Sequence, residues 1–159
     1  MNSEVKSVAR SAVAGVIATV PMTGTFLLFN SLLEQGNRDR LPPREVTRGV
    51  SRETGVSDDI HPSTERKVSW LAHFGFGAAA GALYGLTPSW TSSSLLKGTV
   101  YGVGVYAASY LGWLPALGIL PSAKDRSTSW NVTNLAAHVT WGAALGKMAE
   151  TGEFRGHNT

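Results

Sequence analysis

The sequence predicts an all-α fold, a bundle of four transmembrane helices, on three observations. Charged residues are segregated from long apolar runs, the runs are each about long enough to cross a bilayer, and glycine is abundant inside them. About 20 apolar residues span a hydrocarbon core. The chain has 18 glycines in 159 residues. Glycine costs about 1 kcal/mol per position in a water-exposed helix. Between helices in lipid, by contrast, small residues become contact surfaces. The whole chain, 1–159, reads as a single integral-membrane domain.

The first run covers residues 11–33 and follows Lys6 and Arg10. It is too long for the apolar part of a signal peptide and lacks a small-x-small cleavage site, so it reads as a retained helix. Pro21 near its middle predicts a kink. The second run, 68–86, is bounded by Arg66-Lys67 and Thr87-Pro88, and the third, 98–120, by Lys97 and Pro121. The fourth, 132–149, contains Asn134 and Lys147, which are tolerable near helix ends. Trp70, Trp90, Trp113 and Trp130 fall near the expected ends, as an interfacial aromatic belt requires, while Trp141 sits deeper. A soluble bundle would need a charged face on every helix. The stretch between Lys97 and Lys124 carries no charge at all.

The loop 34–67 is the one sizeable segment expected outside the membrane. Pro42-Pro43 can start a helix in it, placing Arg44, Arg48 and Arg52 on one stripe. That stripe can rest on anionic headgroups, or its arginines can pair with nearby acids in a solvated helix. The loop's side of the membrane carries nine of the 14 basic residues, which favours placing it in the cytoplasm. Lys6 and Arg10 before the first helix pull the other way.

Composition excludes several classes. There is no cysteine, hence no disulfide, iron–sulfur cluster or thiolate zinc site. A net charge of +3, with acids interleaved among the bases, gives no nucleic-acid footprint. No HExxH motif, nucleotide loop or nucleophile–base set is present, so the chain is not expected to be an enzyme.

Two stretches share one pattern: HFGFGAAAG from His73 and HVTWGAALG from His138, 65 positions apart. They fall on the second and fourth runs, which cross in the same direction, so the bundle can be read as two pseudo-repeated helical hairpins. The first and third runs show no convincing alignment. Spacing of four places His73, Gly77 and Gly81 on one face, and likewise His138, Gly142 and Gly146. Each face is a GxxxG helix-packing surface topped by a histidine. Three readings of the His pair stay open: interhelical hydrogen bonding, ligation of a metal or of haem b, and a His-lined proton or solute path. No metal is assigned.

The segments LPPREVT, AHFGFGAAAGALYG, YGVGVYAASYLGWLPALGILP and AAHVTWGAALG resemble a group of small, uncharacterised bacterial inner-membrane proteins that includes YagU-like proteins. The similarity covers about residues 10 to 148. It implies a multi-pass protein of the bacterial inner membrane and supplies neither a reaction nor a site. The expected function is that of a non-catalytic accessory or interaction protein in the lipid bilayer, as a homo-oligomer or part of a larger membrane complex. A haem or metal protein using His73 and His138, and a small channel or transporter subunit, are the alternatives.

Overall fold

The computed structural model describes residues 2–32, 42–55 and 61–154. Residue 33 of the first run, and residues 34–41 and 56–60 of the expected loop with Arg38 and Arg40, lie outside the described residues, as do Arg155 and His157. Among the described residues the fold is all-α.

Helix α1, Ser3–Leu32, holds Pro21 within its length. Helix α2, Pro42–Thr54, starts on the Pro42-Pro43 pair, whose fixed φ suits a first turn. Helix α3, Pro62–Tyr84, begins behind His61, whose ring accepts from the Ser63 N–H. Helix α4, Ser94–Ala107, is capped by Ser93, which accepts from the Leu96 N–H. The last long helix, α6, spans Thr128–Phe154 behind Ser127, whose hydroxyl accepts from the Trp130 N–H at 3.2 Å.

The third apolar run departs from the single helix that its composition predicts. After α4 the backbone widens into a π turn, Ala108–Trp113, with Gly112 off helical geometry, followed by the short α5, Leu114–Ala116. Pro115 supplies the cause. It has no N–H to offer the Leu111 carbonyl, and its ring clashes with that carbonyl in a regular helix. A π turn opens the backbone there. The chain then reverses at Gly118, where φ is +69°.

One helix among the described residues, α1, is long and apolar enough to cross a membrane by length and composition. Four were expected. The π turn divides the third run, α3 opens with Glu65, Arg66 and Lys67, and glycine, alanine and threonine dilute the apolar content of α3 and α6.

Two antiparallel helix pairs build the bundle. In the pair α1–α3, a methyl placed on Gly15 would collide with the Gly77 carbonyl oxygen and stand 2.9 Å from the Gly81 Cα. In the pair α4–α6, a methyl on Gly98 would collide with the Gly142 carbonyl oxygen and stand 2.9 Å from the Gly146 Cα. Ser11, Gly15 and Thr19 on α1 therefore correspond to Ser94, Gly98 and Gly102 on α4. The two hairpins repeat one seam.

α1 and α6 join the pairs. The Trp141 indole N–H donates to the Gly15 carbonyl at 3.1 Å, and Thr25 donates to Thr140 at 3.1 Å. Ala14, Ala18, Ala80, Tyr84, Trp141 and Leu145 form the core at this junction. A second cluster, around Tyr106, Tyr110, Leu114 and Trp130, fills the end nearer α2.

Candidate functional site

Between the two helix pairs lies a cavity of about 230 Å³, and both His73 and His138 line it. Its walls are aromatic: Phe26, Trp70, Phe76, Tyr110, Trp113 and Trp141 all contribute. Pro42, Pro43 and Val46 of α2 close one side. Among the described residues that line it there is no Asp, Glu, Lys or Arg.

The helical repeat of four explains why polar groups reach this space. On α3 the inward stripe reads Glu65, Ser69, His73, Gly77, Gly81, and on α6 it reads Trp130, Asn134, His138, Gly142, Gly146. Each histidine sits one turn from a seam glycine, and the carbonyl of His138 itself still packs against Gly102 of α4.

The two imidazoles are held in opposite tautomers. His138 Nδ1 is 2.8 Å from the Asn134 carbonyl oxygen, an acceptor, so Nδ1 carries the proton and Nε2 the lone pair. His138 is only 4% exposed and stands edge-on to Tyr106 and Tyr110, with ring centroids at 5.6 and 5.7 Å. For His73 the neighbour is Thr23, whose Oγ1 lies 3.3 Å from Nε2. The Thr23 hydroxyl proton is committed to the Thr19 carbonyl at 2.8 Å, so His73 Nε2–H donates and Nδ1 keeps the lone pair. In these tautomers each ring keeps one lone pair, on Nε2 of His138 and Nδ1 of His73, and both residues line the cavity.

The arginine stripe divides. Arg48 forms a bidentate pair with Glu65, Nε to Oε1 at 3.0 Å and Nη2 to Oε2 at 3.1 Å, and Arg44 reaches Oε1 at 3.4 Å. Arg52 is exposed. The hydrogen bond from Arg48 holds the Glu65 carboxyl below its ordinary pKa, against the opposing effect of burial. Further ties fasten α2: Ser69 donates to Thr47 at 3.0 Å, and Arg126 donates to Glu45 at 3.1 Å. Gly49 packs against the Ile119 backbone. The helix that closes the cavity is thus anchored to both α3 and the segment before α6. Sequence reasoning placed the arginines on one face, but Glu65 as their partner, 17 and 21 positions away, carries no local signal.

The volume of about 230 Å³ is small for haem. Pockets for drug-sized ligands start near about 300 Å³, and a porphyrin exceeds such ligands. No group of three or more His, Cys, Asp or Glu among the described residues could hold a metal ion, whereas zinc sites use three or four protein ligands.

Fold and site define, among the described residues, an all-α bundle of two like hairpins around an aromatic-walled cavity without a charged lining residue. Residues 28–146 match the family model described as a protein of unknown function, DUF1440, and the chain belongs to that family. No curated protein and no solved structure matches the chain.

Proposed function

We propose that this chain is a multi-pass bacterial inner-membrane protein without catalytic activity of its own, acting as an accessory or binding unit. One observation carries the reading: the long helices expose large apolar side chains and bury a set of polar ones among their core residues. Val13, Ile17 and Val20 on α1, Leu71 and Leu83 on α3, Val100 and Val103 on α4, and Val132 and Leu135 on α6 are all exposed, Leu71 at 77%. Ser11, Thr19, Ser69, Ser109, Thr133, Asn134 and His138 are buried. In water this arrangement leaves a large apolar surface wet. In a bilayer the same surface faces lipid, while Thr19, Asn134 and His138 bond to carbonyls of their own helices and Ser69 reaches Thr47 of α2 as well.

Charge supports the same orientation. Lys6, Arg10, Lys97 and Glu150 gather at one end of the bundle, while Arg44, Arg48, Glu45 and Arg126 gather at the other. The span 98–120 can cross as α4, the π turn and α5 together, since π turns keep backbone groups satisfied within a buried segment. The likeness to YagU-like inner-membrane proteins belongs to this reading. Expression in a bacterium followed by alkaline carbonate washing tests it. The protein should stay with the inner membrane until detergent is added; recovery in the soluble fraction would overturn it.

A further inference from the structure

We infer that the central cavity is a binding site for a small neutral aromatic alcohol, a phenol or hydroquinone ring, whose hydroxyl donates to His73 or His138. Size, charge and hydrogen-bond polarity each narrow the ligand.

An apolar cavity of about 150 Å³ accepts benzene, so a space of about 230 Å³ suits one substituted ring. With no charged side chain among the described lining residues, an ion would find no counter-charge on them. The described lining thus favours a neutral ligand. Six aromatic side chains in the wall favour a flat ring, because offset and edge-to-face contacts add attraction beyond burial.

Hydrogen-bond polarity makes the choice sharper. Both histidines have their single N–H occupied by a neighbour, the Thr23 hydroxyl for His73 and the Asn134 carbonyl for His138. Trp141 spends its N–H on Gly15. What the two imidazoles offer is a lone pair each. A ligand that donates satisfies them; one that only accepts sets acceptor against acceptor and leaves both unpaired. An O–H on an aromatic ring meets all three conditions. The ring can arrive free or as the headgroup of a membrane-borne hydroquinone, and the chemistry at the histidines is the same.

The test is isothermal titration of the full chain in detergent, with empty micelles subtracted. Hydroquinone, its decyl-substituted form and 1,4-dimethoxybenzene, which keeps the ring and loses both donors, serve as probes. Saturable one-to-one binding of hydroquinone, at least tenfold tighter than dimethoxybenzene, is the expected result. A still tighter decyl-hydroquinone would name the membrane pool as the source, and equal affinity would name free phenols. His73→Phe and His138→Phe should between them reduce hydroquinone binding at least tenfold while leaving dimethoxybenzene unaffected. Equal binding of the two unsubstituted probes, or no binding beyond the micelle background, would refute the inference. The wild-type comparison decides the matter even if a variant does not fold, and it is independent of where the protein resides in the cell.

Discussion

Gly15 of α1 and Gly77 of α3 meet so closely that the carbonyl oxygen of Gly77 occupies the place where a side chain on Gly15 would begin. Gly98 of α4 stands in the same relation to Gly142 of α6. Backbone contact at these two points brings the helices of each hairpin together, and the histidines one turn away line the space that opens beyond.

The two seams should respond alike to substitution. Gly15→Ala and Gly98→Ala each force backbones apart and should cost about 1–3 kcal/mol, the range for overpacking. Gly24, Gly75 and Gly104 have nothing within 4 Å of an added methyl. Alanine there should be neutral or stabilising by up to about 1 kcal/mol. Thermal unfolding in detergent separates the two groups. Similar losses at all five positions would show that the seam is not what holds the hairpins.

Trp141→Phe should cost about 1–2 kcal/mol. It removes the donor that bridges α6 to the Gly15 carbonyl and leaves a small void beside it. An unchanged melting temperature would mean that α1 and α6 are joined by apolar packing alone.

The anchoring of α2 should depend on acid. The folded-state pKa of Glu65 is lowered by its hydrogen bond with Arg48. Its contribution is therefore complete above the ordinary value of 4.5 and is lost as pH falls through the lower folded value. Glu65→Gln should reduce stability by about 1 kcal/mol at neutral pH, because both arginines are partly solvated. That difference should shrink below pH 4.5, so melting curves of both proteins across pH 3–7 should converge at the acid end. A gap independent of pH would assign the effect to shape instead of charge.

What could be read in the sequence was periodicity. The helical class follows from long runs without strand alternation, and the spacing of His73, Gly77 and Gly81 is visible on one line of text. The opposing surfaces were not visible. Ser11, Gly15 and Thr19 have the same four-residue spacing as Ser94, Gly98 and Gly102, but their flanking residues differ, and no histidine marks them. The break in the third run had a local cause in Pro115, which composition within an apolar run conceals. The Glu65 anchor joins elements far apart in the chain, so only three-dimensional packing reveals it.

The central claim is that the exposed apolar faces of the long helices lie in lipid, with the cavity between them. Because the natural chain has no cysteine, single cysteines can report on it without background. In sealed inner-membrane vesicles treated with a membrane-impermeant maleimide, Val13→Cys, Leu71→Cys, Val103→Cys and Val132→Cys should stay unlabelled. Arg52→Cys and Ser92→Cys should label from opposite sides of the membrane. Rapid labelling of all six positions from one side would contradict the account.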